Sequence, residues 1–207
     1  DRAEGAVLEK IKVMSVFGTR PEAIKMAPLV KELQSREEIE SICCVTAQHR
    51  EMLDSVLEIF GVKPDFDLDV MRTGQTLSSV TARILKGLDE IFSAEHPNLV
   101  IVQGDTTTAF AGALVAFQKR IPVAHVEAGL RTYHIDSPYP EEFHRQVIGL
   151  VSNWHFAPTE MAQENLLREG KKKKSIFVTG NTVVDALRFT LGNDFHRPSW
   201  DLPTDYR

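Results

Sequence analysis

Four polar segments of this sequence place arginine or carboxylate side chains where a ligand can be reached. The first, residues 18–22, follows the first apolar run of the chain. Gly18 permits a tight turn from a strand into a helix, and Pro21 suits the first helical turn because its missing N–H costs nothing there. Arg20 then stands at the positive end of a helix, a favourable place for a phosphate. The alternative is that Arg20 caps the helix or pairs locally with Glu22.

Two further segments carry carboxylates at the ends of predicted strands. Asp105 lies in residues 104–108, where it is either the N-cap of the next helix or, because the threonines can cap equally well, free to face a cleft. Glu127 lies in residues 125–132 and is not needed for folding, and a desolvated carboxylate at a strand end suits a group that must both take and give a proton. The alternative for Glu127 is an ion pair with Arg131. His125, within the strand, is predicted to be a hydrogen-bonded core histidine.

The fourth segment, residues 137–145, contains the adjacent carboxylates Glu141 and Glu142. Acidic side chains in the first turn of a helix complement its dipole, which is a sufficient structural reason for one of them. Two prolines immediately before them define where the helix begins, so the other carboxylate is a candidate for the cleft. Glu141 and Arg145 stand at i, i+4 spacing, which also favours an ion pair between them.

These acidic groups do not have the spacing of a metal site, and we predict no metal. Oxygen-ligand sites usually carry closely spaced carboxylates on one loop, and no His/Cys spacing in the sequence fits zinc. Residues 18–22 lack the glycines of a dinucleotide fingerprint and are not a P-loop. The residues alone therefore indicate an anion-contacting loop and two or three carboxylates in a cleft.

Short apolar runs alternate with longer amphipathic segments, which predicts a doubly wound α/β domain with a parallel sheet. The predicted strands are residues 11–17, 41–46, 99–103, 122–126, 154–157 and 175–179, with 64–71 as a candidate short strand. The predicted helices are residues 23–33, 50–60, 77–92, 107–117, 141–151, 159–168 and 182–189. Because ligands bind beyond the carboxyl ends of parallel strands, we expect the four polar segments to share one rim of the sheet.

Composition restricts the partners and the location. The net charge of −5 argues against non-specific nucleic-acid binding, and the lysine run at 171–174 is predicted to be a solvated loop. The adjacent Cys43 and Cys44 are predicted to be small core residues of a strand, which suggests a reducing compartment. No apolar segment approaches the ~20 residues needed to span a bilayer. We expect a cytoplasmic protein with neither nucleic-acid nor membrane partners.

Several of these segments closely resemble the bacterial and archaeal UDP-N-acetylglucosamine 2-epimerase family, of the non-hydrolysing type. They are VMSVFGTRPEAIK (13–25), TAQHREML (46–53), GDTTT (104–108), HVEAGLRT (125–132), SPYPEE (137–142) and VTGNTVVDAL (178–187). The resemblance runs in order from about Lys12 to Leu187. Any one motif is modest, whereas GTRPEAIK, GDTTT and HVEAGLRT at these distances are highly specific together.

The resemblance implies a fold like the GT-B glycosyltransferases, with the sugar nucleotide between two Rossmann-like domains. It implies inversion at C2 of UDP-GlcNAc to give UDP-ManNAc, without metal, nicotinamide or another cofactor. The reaction eliminates UDP to give a 2-acetamidoglucal and adds UDP again on the other face. A homodimer and a role in cell-envelope polysaccharide biosynthesis are also implied.

Motif matching then assigns roles to individual residues. The positions that contact substrate fall on Arg20, Lys25, Asp105 and Glu127. The carboxylate positions implicated in proton transfer and in supporting a glycosyl cation-like state fall on Asp105, Glu127 and Glu141. Glu141 and Gln48 also match positions that contact a regulatory second UDP-GlcNAc in some members.

The sequence departs from the family pattern near the site and in its length. His144 stands where Asn is usual, Tyr133 stands where Gly is common, and Glu51 and Gly74 differ from strongly regulated members. The family's second domain supplies a catalytic His, and this chain ends before it. We therefore expect an N-terminal extension (1–10), a Rossmann-like N-terminal domain (11–190) and a linker (191–207) toward an absent second domain.

Three alternatives stay open beside an epimerase portion. The first is a hydrolysing relative that releases ManNAc and UDP. The second is half of a GT-B glycosyltransferase, and the third is a non-catalytic module that binds sugar nucleotides. An isolated half should be a poor catalyst in any case, because closure of both halves creates the desolvated site.

Overall fold

A computed structural model describes residues 10–47 and 50–192 of the chain, and these residues form a parallel sheet flanked by helices. The strands are β1 (Ile11–Phe17), β2 (Ile39–Val45), β3 (Phe66–Asp67), β4 (Leu99–Gln103), β5 (Val123–Val126), β6 (Trp154–Ala157) and β7 (Ile176–Val178). The helices are α1 (Arg20–Gln34), α2 (Arg50–Phe60), α3 (Leu77–Glu95), α4 (Thr107–Gln118), α5 (Glu141–Val151), α6 (Glu160–Arg168) and α7 (Val183–Gly192).

The strand order is β3-β2-β1-β4-β5-β6-β7, and each neighbouring pair is parallel. The predicted doubly wound, Rossmann-like α/β fold is therefore confirmed. The order reverses between β1 and β4, because the chain builds outward from β1 to β3 and then returns to the other side of β1. The loops that follow β1 and β4 leave in opposite directions at this point, and that divergence opens a crevice.

The predicted bounds of most strands and helices agree closely with the observed ones. The candidate strand 64–71 is much shorter than predicted, because only Phe66–Asp67 pairs with β2, and the other main differences lie at helix ends. Helix α1 begins at Arg20 rather than at residue 23, and α3 continues to Glu95. Helix α7 ends at Gly192, so it includes the first two residues of the predicted linker. The rest of that linker, residues 193–207, and residues 1–9 of the predicted extension lie outside the described part of the chain.

Apolar side chains cover both faces of the sheet. Alternate residues of β1 point to opposite faces, as the period of two in a strand requires. Val13 and Phe17 pack with α1, α2 and α7, whereas Met14 and Val16 pack with α3 and α4. A sheet that is buried on both faces has only its strand ends available to ligands.

Cys43 and Cys44 in β2 are both fully buried and unpaired as disulfide, which confirms their prediction as core residues. No helix in the described residues is long and apolar enough to cross a membrane.

Candidate active site

A cavity of about 270 Å³ lies at the carboxyl ends of the central strands, where the strand order reverses. Its lining residues are Thr19, Pro21, Glu22, Lys25, Gln103, Gly104, Asp105, Thr106, Glu127, Leu130 and Arg145. All four predicted polar segments therefore contribute residues to this cavity, and the fourth segment contributes only Arg145.

Glu127 follows the last residue of β5 and receives donors on both carboxylate oxygens. Lys25 Nζ lies 2.5 Å from Oε2, and the amide of Gln103 also donates to that oxygen. Asn181 Nδ2 donates to Oε1 at 3.2 Å. The alternative of an ion pair between Glu127 and Arg131 is excluded by these contacts.

Arg131 makes a different ion pair. Its side chain is fully buried, and its Nε and Nη2 lie 2.7 and 2.9 Å from the two carboxylate oxygens of Glu169. A two-point contact of this kind holds the guanidinium firmly. It joins the loop after β5 to the end of α6 and leaves Glu127 for the cavity.

Asp105 follows β4 and does not cap the next helix. Thr106 is the N-cap of α4, and its hydroxyl accepts from the N–H of Ala109 at 3.1 Å. Of the two interpretations drawn from the sequence, the one that frees Asp105 to face the cleft is therefore confirmed.

The charge of Asp105 is poorly compensated. Its nearest cation is Arg145, whose Nε lies 3.7 Å from Oδ2. Burial raises the pKa of Asp105 above its ordinary value, Arg145 opposes this, and the negative charges of Glu141 and Glu127 add to it. A carboxylate in this setting takes up a proton more readily than one in water.

Arg145 pairs with Glu142 rather than with Glu141. Its Nε lies 2.9 Å from Glu142 Oε2, and the predicted i, i+4 pair with Glu141 is wrong. The physical reason is burial: Glu142 is fully buried and its charge needs a partner, whereas Glu141 is partly exposed and is solvated by water. The side chain of Arg145 thus lies between Glu142 and Asp105.

Glu142 also fixes the loop that leads into α5. Its carboxylate accepts from the backbone N–H of Thr132 at 3.1 Å and of Tyr133 at 3.0 Å, and from Gln146 Nε2 at 2.8 Å. Burial acts to raise the pKa of Glu142, but these hydrogen bonds and Arg145 outweigh it and the pKa is lowered. Tyr133 has a φ of 60°, in the left-handed region that favours glycine.

Glu22 also lines the cavity, and the sequence did not identify it as a site residue. Its buried carboxylate accepts from Gly18 N–H at 3.1 Å, Thr19 N–H at 2.8 Å and the Thr106 hydroxyl at 2.7 Å. It does not pair with Arg20. Glu22 therefore joins the loop after β1 to the loop after β4 across the crevice. The signal was present, because Thr19 followed three residues later by Glu22 is a capping box.

Gly18 is required by close packing as well as by the turn. A Cβ added to it would overlap the hydroxyl of Thr46 and would lie 2.6 Å from that of Thr108. The loop after β1 can approach the end of β2 and the first turn of α4 this closely only because residue 18 has no side chain.

The remaining predicted residues lie around the cavity or outside the described residues. Arg20 lies at the positive end of α1, as expected, but its exposed side chain lines a separate surface groove with Ser55 of α2 and Thr190 of α7. Glu141 is the first residue of α5 and is close enough to raise the pKa of Asp105. Gln48 lies outside the described residues.

Two histidines near the site are structural. His125 is fully buried, its Nε2 lies 2.7 Å from the carbonyl oxygen of Gly104, and burial lowers its pKa to about 3. This confirms it as a core histidine. His144 Nδ1 lies 2.8 Å from the backbone oxygen of Asp105, and its ring stacks on Phe110 at 4.9 Å. His144 thereby supports the backbone of the Asp105 loop.

The arrangement is suited to proton transfer near an anion. It combines one incompletely paired carboxylate, one carboxylate held by an ammonium group, and a helix N-terminus at Arg20. In the described part of the chain, no three His, Cys, Asp or Glu side chains are grouped so that they could hold a metal ion.

The fold and this crevice define a Rossmann-like domain with acid–base groups at the carboxyl ends of its strands. The sequence model described as UDP-N-acetylglucosamine 2-epimerase matches residues 31–201, and the chain belongs to this family.

Individual relatives agree with this assignment. The UDP-N-acetylglucosamine 2-epimerase of Bacillus subtilis is 57% identical over 194 residues, which cover 94% of this chain and 51% of that protein. The structure of the Neisseria meningitidis enzyme bound to UDP-GlcNAc has 52% identity and a TM-score of 0.85, covering 87% of this chain and 49% of that one. The structure of the Methanocaldococcus jannaschii enzyme in complex with UDP-GlcNAc and UDP has 40% identity and a TM-score of 0.79, covering 84% of this chain and 48% of that one.

The chain spans about half the length of the curated relatives it matches. A lipopolysaccharide outer core galactosyltransferase shares the fold, with a TM-score of 0.59 and 12% identity over 82% of this chain and 45% of that one. The predicted half of a GT-B-like architecture is therefore confirmed.

Proposed function

We propose that this chain is a portion of a UDP-N-acetylglucosamine 2-epimerase that interconverts UDP-GlcNAc and UDP-ManNAc. The observation that carries the proposal is the shared crevice, in which Asp105 and Glu127 follow adjacent strands and face the same cavity as Lys25. Structures of family members hold UDP-GlcNAc or UDP, which supports a sugar nucleotide as the ligand.

The reaction requires groups that move a proton at C2 while UDP leaves C1. A base takes the C2 proton, the electron pair forms the C1–C2 double bond, and the C1–O bond breaks with its electrons going to UDP. The reverse addition forms the C1–O bond again and returns a proton to the opposite face of C2. We propose Asp105, Glu127 and Glu141 for proton transfer and for stabilising the cation-like state, and Arg20, Lys25, Asp105 and Glu127 for substrate contact.

The electrostatics of Asp105 support its share of this work. A general base that later acts as an acid operates best when its pKa lies closer to the working pH than that of a free carboxyl group. Burial shifts the pKa of Asp105 in this direction. Lys25 supplies a positive charge beside Glu127, where the negative charge of the substrate's diphosphate or of a transition state can be balanced.

We further propose that the residues of this chain act together with the half of the relatives' length that it does not span. Closure of two halves around a substrate excludes water and completes the set of catalytic groups. Residues 1–207 alone should therefore turn over poorly and bind UDP-GlcNAc at millimolar concentration or more weakly. Micromolar binding in a calorimetric titration would contradict this part of the proposal.

Product analysis in heavy water tests the activity. The complete gene product is incubated with UDP-GlcNAc in D2O and followed by proton NMR. We expect UDP-ManNAc to appear, with deuterium at C2 of both nucleotide sugars. Free ManNAc and UDP as the only products would identify the hydrolysing relative instead. Transfer of the sugar to an acceptor without deuterium at C2 would indicate a glycosyltransferase.

The cellular setting remains a set of predictions. We propose a cytoplasmic homodimer that acts in cell-envelope polysaccharide synthesis, and a regulatory UDP-GlcNAc contact at Gln48 and Glu141. Light scattering of the complete gene product tests the dimer. Initial rates as a function of UDP-GlcNAc concentration test the regulation, since a second bound molecule predicts a sigmoidal curve.

A further inference from the structure

The backbone of Glu127 is fixed in an uncommon conformation. Its φ is 63°, in the left-handed region that costs energy for a residue with a side chain. The neighbouring backbone is anchored on two sides, by Gly104 N–H to the Val126 oxygen at 3.0 Å and by Ala128 N–H to the Phe156 oxygen at 2.9 Å. A strained residue persists only where its surroundings determine it, so the direction in which Glu127 leaves the strand is set by β4 and β6.

Two amides then fix the carboxylate itself. Gln103 is the last residue of β4 and is only 3% exposed, and its amide donates to Glu127 Oε2. Asn181 donates through Nδ2 to Glu127 Oε1 at 3.2 Å, while its Oδ1 accepts from the N–H of Val183 at 3.0 Å. The amide of Asn181 is therefore held at both ends, and only its NH2 group can face Glu127.

Lys25 alone would not select this orientation. An ammonium group is a compact charge on a flexible stem that attracts a carboxylate from many directions. It also lies close enough to Asp105 to act on its pKa. Amide donors add no charge but prescribe an angle and a distance.

We infer that Gln103 and Asn181 are positioning residues that clamp the two oxygens of Glu127 in one orientation toward the crevice. The Glu127 clamp, defined as these two amides, holds one cavity carboxylate rigid. In the described residues the carboxylate of Asp105 has no such donor, and its closest cation is Arg145 at 3.7 Å. Of the two carboxylates in the crevice, that of Glu127 is thus held in one orientation by amide donors, and that of Asp105 is not. The inference rests on the proposed function for its kinetic test.

Turnover of the complete gene product with UDP-GlcNAc tests the clamp. Gln103→Met and Asn181→Leu each remove the amide donor at nearly constant volume and add no charge beside Glu127. We expect each variant to lower kcat by about 10- to 100-fold, with KM changing by less than about 3-fold, because a small misplacement of a reacting group slows chemistry more than binding. Gln118→Met, at the exposed end of α4, is the matched control and should leave kcat unchanged.

A double-mutant cycle separates positioning from a general structural role. If Gln103 acts through Glu127, then Gln103→Met should change kcat by less than about 2-fold in a Glu127→Gln background. An equal loss in both backgrounds, or wild-type kcat in both clamp variants, would overturn the inference. The outcome for Asn181→Leu, measured alone and in the Glu127→Gln background, decides the case if Gln103→Met does not fold.

Failure of the proposed function is distinguishable from failure of the clamp. If the unmodified complete protein forms no UDP-ManNAc, the epimerase proposal fails. The coupling between Gln103 and Glu127 is then measured by thermal unfolding. Non-additive shifts of Tm for Gln103→Met and Glu127→Gln support it. The control combines Gln103→Met with Glu58→Gln, which changes an exposed residue, and its Tm shifts should be additive. Equally additive shifts for Gln103→Met with Glu127→Gln would overturn the clamp.

Discussion

Lys25 Nζ lies 2.5 Å from Glu127 Oε2, and the two residues are 102 positions apart in the chain. Lys25 is on the second turn of α1, and Glu127 follows β5. Both side chains are mostly buried, with 25% and 14% of their surfaces exposed. The pair joins α1 to the loop after β5 at the cavity, and removal of either charge would leave the other partly buried and without its ionic partner.

Replacement of Lys25 tests the importance of this ion pair. Lys25→Met should lower kcat/KM for UDP-GlcNAc by about 10² or more, because it removes a cation from the cavity in which we propose that the diphosphate leaves. Lys31→Met changes a lysine in the last turn of the same helix and should have little effect. Steady-state kinetics of the complete gene product provide the measurement, and equal values for both variants would contradict the role of Lys25.

The two cavity carboxylates can be neutralised without a change of shape. Asp105→Asn and Glu127→Gln in the complete gene product should each lower turnover by on the order of 10² or more, as expected of acid–base groups. Asp89→Asn, which changes an exposed aspartate on α3, serves as the control. Near-normal turnover in both cavity variants would refute the assignment of roles.

His125 makes stability depend on pH in a defined window. Burial lowers its pKa to about 3 in the folded chain, whereas an unfolded histidine has a pKa near 6.5. Between these values the unfolded chain binds a proton that the folded chain does not. The stabilisation is therefore complete above about pH 6.5 and is lost as the pH falls toward 3, by up to ~1.4 kcal/mol per pH unit.

Urea unfolding at several pH values between 7 and about 4 measures this slope. We compare the wild type with His125→Gln, because the difference between their slopes isolates one histidine from the other titrating groups. The variant will be less stable at neutral pH, since it disturbs the contact with Gly104, but its stability should fall less steeply on acidification. Parallel curves for the two proteins would show that His125 is not buried in its neutral form.

The two cysteines should be unreactive in the folded protein. Both are fully buried, and burial raises the pKa of Cys44 to about 12 and also raises that of Cys43. Because the thiolate is the reactive form, a thiol reagent at pH 8 should modify neither residue in buffer and both in concentrated guanidinium chloride. Spectroscopic titration of the released chromophore counts the reactive thiols. Reaction of even one thiol in the native protein would contradict the burial of the two cysteines in β2.

Substitution of two glycines with positive φ distinguishes the stability cost of backbone strain from that of steric overlap. Gly129 has φ 88°, and a Cβ there would overlap the backbone oxygen of Ala162 in α6. Gly170 has φ 79° with no atom within 4 Å of the added Cβ. Gly170→Ala should cost about 1–2 kcal/mol of stability, and Gly129→Ala about 1–3 kcal/mol more. Denaturant unfolding gives both values, and equal costs would argue against the close approach of α6 to this loop.

Most of the fold was predictable because its signals are local. Buried strands appear as apolar runs, and helices appear as apolar residues at helical spacing, so each element can be recognised without its neighbours. Asp105 and Glu127 were predicted as site residues for the same reason, since each directly follows a predicted strand. Helix α1 begins earlier than its apolar spacing indicates, because the Thr19–Glu22 capping box sets its first turn.

The ionic partners were not predictable from local spacing. The i, i+4 spacing favours a pair of Glu141 with Arg145, and it allows a pair of Glu127 with Arg131 as an alternative. The observed partners are Glu142 for Arg145, Glu169 for Arg131 and Lys25 for Glu127. An exposed i, i+4 pair is worth only a few tenths of a kcal/mol, so burial of a charge readily overrides it.

The sequence by itself determined the class of fold, the edge of the sheet where the cavity lies, and two of the carboxylates that line it. These follow from the alternation of strands and helices and from the rule that parallel strands end on one side. Only the tertiary structure decided which donor meets which carboxylate, because Lys25, Gln103 and Asn181 reach Glu127 from three different elements. That choice depends on how the chain crosses between strands and on which charges lose their water, and neither quantity is contained in the spacing of residues along the chain.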